Sequence, residues 1–201
     1  MTWALLAVSY FVGAFPTSYV VGRLARGIDL RQHGSGNLGA TNAFRVLGWR
    51  AALPIFLVDI FKGFAPTFFF PRWDGSPHWE WALAYGAAAI LGHVYSAYVG
   101  FRGGKGVATS AGVFLALAPV AVGVGLVVWA LLVWTTRIVS VASIAAAVAV
   151  PLAVLLTTGV GPVLWLSLAL GAFIIYAHRQ NIRRLLRGEE HRFGRKAPEA
   201  R

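Results

Sequence analysis

The stretch Gly100-Phe101-Arg102-Gly103-Gly104-Lys105-Gly106-Val107-Ala108-Thr109 divides the chain, because it separates two long apolar regions. Its four glycines allow the backbone to approach a ligand closely, and Arg102 and Lys105 add positive charge. The spacing differs from that of a Walker A loop, which has four residues before its Gly-Lys pair and then Ser or Thr. Two interpretations stay open: an anion site at the start of a helix, and a tight turn whose cations set membrane topology.

On both sides of this stretch the chain is apolar. Hydrophobic residues make up 58% of the 201 residues and charged residues only 12%, whereas soluble domains carry about 25% charged residues. Residues 1–22, 106–136 and 138–177 contain no charge, and the last run, 40 residues long, is enough for two spans of roughly 20 residues each. The sequence predicts an all-α, polytopic integral membrane helical bundle and not a β-barrel, which lacks such runs.

The positive charge of the chain lies in its connections and near its C-terminus. A net charge of +11 distributed in this way is the positive-inside pattern of membrane proteins, so we expect no nucleic-acid partner. Arg23, Arg26 and Arg31 follow the first apolar segment, which predicts an N-terminus outside. The chain has no cysteine, which excludes disulfides and thiolate chemistry.

Seven transmembrane segments are predicted, some of them short, with the N-terminus out and the C-terminus in. The basic region 179–201 carries eight Lys or Arg against three Glu and is expected to be a cytoplasmic tail. An even number of crossings must then separate Lys105 from Arg179, which requires a split near Pro119, a helix-breaking residue. If each long apolar stretch crosses only once, the count is five. The predicted segments lie at about 3–22, 51–70 and 80–99, with two in 107–136 and two in 138–177.

The second predicted segment contains two ionisable residues. Asp59 and Lys62 are three positions apart and share one helical face. Ionisable residues within a membrane usually face the bundle interior and pair with each other. A packing ion pair is favoured here over a catalytic role.

Three polar stretches fall on the predicted cytoplasmic face. The first is 34–42 with Arg45, the second is the glycine-rich stretch, and the third contains His178 and Asn181. Together they offer a hydroxyl, amides, cations and an imidazole. Such groups suit a substrate with phosphate at one end and an acyl chain at the other. Acyl transfer also requires a stabilised oxyanion and a proton acceptor.

These stretches resemble the three signature motifs of the bacterial acyl-phosphate:glycerol-3-phosphate acyltransferase family (PlsY). The resemblance covers nearly the whole chain, and three motifs in order are specific. It rests on Ser35-Gly36-Asn37-Leu38-Gly39-Ala40-Thr41-Asn42 with Arg45, on Gly92-His93 followed by 101–109, and on Ala177-His178-Arg179 with Asn181, Ile182, Arg184, Leu185 and Gly188. No histidine is followed five positions later by aspartate, so the His-x4-Asp pattern of other glycerolipid acyltransferases is absent.

The resemblance implies a reaction. Acyl-phosphate and sn-glycerol-3-phosphate would give 1-acyl-glycerol-3-phosphate (lysophosphatidate) and phosphate, the first acylation of bacterial phospholipid synthesis. It implies no acyl-CoA, and we expect no cofactor and no metal. It also implies a multi-pass protein of the bacterial inner membrane, a single domain over 1–201, in contact with membrane lipid and functionally linked to the soluble enzyme that makes acyl-phosphate.

The resemblance assigns essential roles to Ser35, His178 and Asn181, which we take as the catalytic set. The predicted substrate-binding set combines residues that the resemblance implies with polar neighbours in the same stretches: Asn37, Thr41, Asn42, Arg45, Arg102, Gly103, Gly104, Lys105 and Gly106. Because acyl-phosphate is an activated anhydride, we expect direct attack by the glycerol hydroxyl, with His178 or a substrate phosphate taking the proton. Nucleophilic catalysis through Ser35 is the alternative.

Two other classes of protein are considered. An anion transporter would use short helices near Pro119, with Ser140 and Ser143, as a midplane site. A structural membrane protein would use the basic segment around Arg183 and Arg187 to bind anionic lipid. The polar residues gather at one membrane face and not at its middle, which favours the enzyme.

Overall fold

The computed structural model describes residues 1–193, and within that range the chain forms helices and no strand. Two 3-10 turns, Leu30–Gln32 and Ala97–Val99, lie in the connections. The last part of the predicted basic tail, residues 194–201, lies outside the described residues. The helices are α1 Thr2–Ala14, α2 Thr17–Arg26, α3 Ala40–Leu47, α4 Trp49–Trp73, α5 Trp81–Val94, α6 Val107–Leu117, α7 Pro119–Thr136, α8 Val139–Thr158, α9 Pro162–Ala177 and α10 Arg179–Leu186.

The helices confirm an integral membrane protein of the all-helical class. Five segments are long and apolar enough to cross a membrane, and α9 with α10 passes the same test as a pair bent by 54°. The short apolar helix α6 adds a further candidate. The long segments are Thr2–Arg26, Trp49–Trp73, Trp81–Val99, Pro119–Thr136 and Val139–Thr158.

The predicted first span is not one straight helix. It breaks between Ala14 and Thr17, where Pro16 removes a backbone N–H and disfavours helical geometry at the residue before it. After the break, α2 continues to Arg26, beyond the predicted end near residue 22. The connection that the sequence predicts to be polar also contains a helix, α3.

The last predicted span also differs from expectation. The sequence predicts that His178, Asn181 and Leu185 share one face of a single helix. Instead, α9 ends at Ala177 and His178 lies at the break before α10. Only Asn181 and Leu185 therefore lie on the same helix, while His178 is held at the bend.

The chain divides into two compact units, Met1–Pro119 and the part from Val120 onward. In the first unit, α1 packs along α5 and α4 packs along α6. The α4–α6 contact is close because Gly63 lies against the carbonyl of Thr109, where a side-chain carbon would collide with the backbone. Small residues permit such an approach between membrane helices. This contact fixes the position of the first turn of α6.

The second unit is built on the packing of α8 against α9. The turn 159–161 joins these helices within the charge-free run 138–177, for which the sequence predicts two segments. Pro119 begins α7, as the predicted split requires. Few residues of α7 are buried, in keeping with an apolar helix that faces lipid.

Candidate functional site

The first polar loop is shaped by a buried side chain, that of Asn42. Its Oδ1 accepts a hydrogen bond from the backbone N–H of Ser35 at 2.8 Å. Its Nδ2 donates to the carbonyls of Leu30 and His33 at 3.1 and 3.0 Å. Because these bonds hold both ends of the turn, the loop presents the exposed Ser35 side chain in a defined place. Asn42, predicted to bind substrate, therefore has the contacts of a positioning residue.

The other predicted residues of this stretch lie around the same turn. Thr41 and Arg45 are four positions apart on α3, so they share one face of it, and both are half-buried. Asn37 is half-buried within the loop. The Ser18 hydroxyl of α2 donates to the carbonyl of Leu38 at 2.7 Å, which ties the loop to the helix before it.

The second polar loop contains the glycine pair, and its backbone is already engaged. The N–H of Gly103 donates to the Val94 carbonyl at 2.9 Å, and that of Gly104 donates to the His93 carbonyl at 3.1 Å. These bonds satisfy carbonyls at the end of α5 that have no partner within the helix. A side chain at Gly104 would collide with the His93 ring. Both N–H groups of this pair therefore cap α5, so the pair's part in the predicted anion site is to shape the loop.

The anion-binding feature that this loop does offer is the first turn of α6. Gly106 has φ +81°, a left-handed conformation that glycine adopts without strain, and α6 begins at Val107. Backbone N–H groups in the first turn of a helix have no partner within the helix and favour negative charge. Lys105, half-buried, and Arg102, exposed, lie just before this turn.

The His93 ring, which lies against Gly104, also borders a buried charged cluster. Lys62 Nζ is 2.7 Å from Asp59 Oδ1 and donates to the carbonyl of Phe15 at 3.1 Å. Thr17 donates to the same Asp59 oxygen at 3.1 Å, and His93 Nδ1 lies 3.8 Å from it. The cluster joins the α1–α2 break to α4 and α5. These contacts confirm the predicted ion pair and fit its interpretation as packing.

In the second unit, the tautomer and orientation of a histidine are set at the break between α9 and α10. His178 is buried, and its Nδ1 lies 2.8 Å from the carbonyl of Ile174. A carbonyl only accepts, so Nδ1 carries the proton, and in the neutral ring Nε2 is the basic nitrogen. The predicted proton acceptor therefore has a fixed orientation.

Asn181 is held by the carboxylate of Glu190, a residue that the sequence motifs do not include among the predicted site residues. Its Nδ2 donates to Glu190 Oε1 at 2.6 Å, and Ser140 Oγ donates to the same oxygen at 3.0 Å. Arg184 Nε lies 2.7 Å from Glu190 Oε2. Burial raises the pKa of Glu190, but the hydrogen bonds from Asn181 and Arg184 outweigh it and hold the pKa below its usual value. Glu190 thus links α8 to α10.

Within each unit, the structure brings some of the predicted residues together. Ser35 and Asn42 are in direct contact, and His178 at the bend and Asn181 in α10 are both buried. Motif spacing does not reveal the contacts of Arg31 with Val99 and of Ser140 with Glu190, because 68 and 50 positions of sequence separate the partners. Among residues 1–193, no group of three or more His, Cys, Asp or Glu is placed to hold a metal ion.

The chain is similar along nearly its whole length to known proteins. The sequence model of the family described as glycerol-3-phosphate acyltransferase matches residues 3–188. A glycerol-3-phosphate acyltransferase of Geobacter sulfurreducens is 43% identical over 94% of this chain and 96% of its own. One from Chlorobium phaeobacteroides is 40% identical over 96% of this chain and 97% of its own.

Two solved structures are similar along nearly the whole chain. Both are crystal structures of PlsY (YgiH), an integral membrane glycerol 3-phosphate acyltransferase. The glycerol 3-phosphate form has a TM-score of 0.89 at 40% identity, covering 96% of each chain. The lysophosphatidic acid form has a TM-score of 0.86 at 39% identity, covering 96% of this chain and 95% of the other.

The fold and the polar loops thus define an integral membrane protein of the acyltransferase class. More particularly, the chain belongs to the glycerol-3-phosphate acyltransferase family.

Proposed function

We propose that this protein transfers an acyl group from acyl-phosphate to the C1 hydroxyl of sn-glycerol-3-phosphate. The hydroxyl oxygen attacks the acyl carbonyl carbon, the bond from that carbon to the phosphate oxygen breaks, and inorganic phosphate leaves. The products are 1-acyl-glycerol-3-phosphate and phosphate. The observation that carries the proposal is the likeness over nearly the whole chain to structures whose names contain this acceptor and this product.

Phosphate binding is assigned to the first unit. Arg45 on α3 and Lys105 before α6 are cations beside structured loops, and the first turn of α6 adds backbone N–H groups. Arg102 is more exposed, and its role is to attract phosphate electrostatically more than to contact it directly. Asn37 in the loop and Thr41 in the first turn of α3 supply further polar groups. Asn42, Gly103, Gly104 and Gly106 support this binding by shaping the two loops.

Proton removal is assigned to His178 of the second unit. The bond from Nδ1 to the Ile174 carbonyl leaves Nε2 as the basic nitrogen. A positioned base of this kind contributes typically 10²–10⁴-fold to a rate. Asn181, held by Glu190, is the amide that accompanies it. The competing acceptor is a phosphate oxygen of a substrate, which would make His178 a binding residue.

Direct transfer is proposed over an acyl-enzyme on Ser35. A serine nucleophile needs a general base within hydrogen-bonding distance, itself oriented by a third group. In residues 1–193, the hydrogen bond of Ser35 is made by its backbone to Asn42, and no imidazole or carboxylate is bonded to its hydroxyl. The hydroxyl is instead available to bind phosphate or the developing oxyanion.

Intact-mass spectrometry separates the two routes. We expect no acylated protein when acyl-phosphate is added without glycerol-3-phosphate. Ser35→Ala protein, treated in the same way, is the control for nonspecific acylation. An adduct of one acyl group that appears in the wild type and is lost in Ser35→Ala would contradict direct transfer.

We further propose seven crossings, with the N-terminus outside and the C-terminus inside. The five long segments, the bent α9–α10 pair and the short helix α6 supply seven candidates. The cytoplasmic face of the bacterial inner membrane would then carry the substrate loops. A soluble enzyme that makes acyl-phosphate would deliver the donor to that face.

Purified protein tests the proposed activity. With acyl-phosphate and glycerol-3-phosphate, we expect lysophosphatidate and phosphate in equal amounts. His178→Ala protein of matched thermal stability is the control for contaminating activity. Phosphate release without lysophosphatidate would mean that water, and not glycerol-3-phosphate, is the acceptor, and would overturn the proposal.

A further inference from the structure

Arg31 makes a set of contacts that the proposed reaction has not used. Its Nε lies 3.1 Å from each carboxylate oxygen of Asp29, and its Nη2 lies 2.7 Å from Oδ2. Asp29 is buried and also accepts the backbone N–H of Arg31 at 3.0 Å. Such bidentate pairing fixes the plane of the guanidinium. The hydrogen bond from Arg31 holds the pKa of Asp29 below its usual value, so the carboxylate is charged at neutral pH.

The remaining nitrogen of the same guanidinium reaches the second loop. Arg31 Nη1 donates to the carbonyl of Val99 at 2.9 Å, across 68 positions of sequence. Val99 ends the 3-10 turn that precedes the glycine-rich stretch, and it is buried. The guanidinium carbon also lies 5.2 Å from the centre of the Tyr19 ring on α2. One side chain therefore joins α2, the first polar loop and the second polar loop.

The contacts of Arg31 involve every nitrogen of its guanidinium. Its Nε and both terminal nitrogens are engaged by protein oxygens, and its guanidinium carbon lies over the Tyr19 ring. Together these contacts describe a guanidinium that holds neighbouring segments of the protein in place. Lysine cannot replace it, because an ammonium lacks the planar fork that bonds two partners at once.

We infer that Arg31 is a positioning residue that holds the Ser35 loop in register with the Gly100–Gly106 loop. The link that Arg31 makes between the two loops is called the clamp below. The inference rests on the proposed function, because the clamp matters to catalysis only if both loops present groups to the same two substrates. Small misplacements of bound reactants are costly to rate. Loss of the clamp should therefore lower kcat more than it raises either KM.

The chain offers a matched control in Arg23. Its guanidinium carbon lies 5.4 Å from the same Tyr19 ring, but its hydrogen bond goes to Gly27 at the end of its own helix. Arg23→Lys and Arg31→Lys each preserve one positive charge near the first loop. Only Arg31→Lys breaks a connection between the loops.

The test measures loop register and turnover in the same proteins. Because the natural chain has no cysteine, spin labels can be placed specifically at Gln32 and Tyr98, both exposed, in the two segments that Arg31 joins. In Arg31→Lys we expect a broadened distance distribution and a kcat lowered about ten- to a hundredfold, as for lost charge-assisted hydrogen bonds. Arg23→Lys should keep both the wild-type distribution and the wild-type kcat. Asp29→Asn, which removes the carboxylate that fixes the guanidinium, is the second variant should Arg31→Lys not fold.

The outcomes separate the inference from the proposed function. If wild-type protein made no lysophosphatidate, the proposed function would be contradicted. The spin-label distance between the two loops would still test the clamp. An active wild type with an unchanged distribution in Arg31→Lys or Asp29→Asn would overturn the clamp. A broadened distribution with wild-type kcat would overturn its role in catalysis.

Discussion

At the scale of single residues, Lys105 and His178 should show different kinetic defects. Lys105 is a cation beside the first turn of α6, and a charge-assisted contact to phosphate contributes about 1.5–3 kcal/mol. Lys105→Ala should therefore raise the apparent KM for a phosphorylated substrate, by roughly ten- to a hundredfold. His178→Ala should chiefly lower kcat, by about 10²–10⁴-fold. Steady-state kinetics with each substrate varied in turn measures both effects.

The assignment of His178 depends on that separation. Lys105→Arg, which retains the charge, is the control for a general effect of substitution in the loop. If His178→Ala kept kcat near the wild-type value and only weakened binding of glycerol-3-phosphate, His178 would be a binding residue. Proton removal by a substrate phosphate would then be the better account.

The sequence identifies the residues proposed to act on substrate better than it identifies the residues that hold them in place. Ser35, Lys105 and His178 occur in short motifs whose residue types suit phosphate and acyl chemistry. Asn42 belongs to the same motif, but its bonds to Leu30, His33 and Ser35 come from the fold of the loop. Glu190 lies nine positions from Asn181 and 50 from Ser140, separations at which spacing carries no information.

At the scale of elements, the Asp59–Lys62 pair should stabilise the meeting of α4 with the α1–α2 break. Asp59→Asn leaves the buried Lys62 charge without its partner, and breaking a buried pair on one side typically costs about 3–5 kcal/mol. We expect a lower melting temperature, with substrate affinity changed much less. The double variant Asp59→Leu/Lys62→Met removes both charges and should recover much of the loss. An Asp59→Asn protein of normal stability without turnover would place Asp59 in the active site.

The carboxylate that joins α8 to α10 should make stability depend on pH. The folded pKa of Glu190 lies below its ordinary value of 4.5, so its contribution is present above that pH and is lost as pH falls through the folded pKa. Glu190→Gln should lower the melting temperature at pH 7 and reduce its fall on acidification. Glu189→Gln, at an exposed neighbour, is the control. Equal pH dependence in wild type and Glu190→Gln would show that other groups dominate.

At the scale of the whole molecule, the arginine distribution makes a prediction about topology. Cysteine at Gln32 or Arg102 should resist a membrane-impermeant maleimide added to intact cells, because both loops follow the positive-inside rule. Cysteine at His78, in the loop between α4 and α5, should be labelled. Labelling at all three positions after permeabilisation is the control. Labelling of Gln32 or Arg102 in intact cells would contradict the proposed orientation.

Hydrophobic patterning predicts a helical membrane protein because charge-free runs of this length are typical of membrane-spanning helices and rare in soluble domains. It does not predict where helices break within a run. Pro16 and Pro119 mark two of the breaks, but the bend at His178 has no proline or glycine at that position to announce it. This bend coincides with a local bond from His178 to Ile174 and with a tertiary contact, the anchoring of α10 to α8 through Glu190, and hydrophobic patterning shows neither.

A competition between two donors tests the central claim most directly. Purified protein would receive glycerol-3-phosphate with equal amounts of an acyl-phosphate and an acyl-CoA that carry the same chain, only one of them deuterated. Mass spectrometry of the lysophosphatidate then reports which donor supplied the acyl group. We predict that the product carries the isotope label of acyl-phosphate alone, and that exchanging the label between donors reverses the mass. Product labelled from acyl-CoA, or no lysophosphatidate from either donor, would contradict the account.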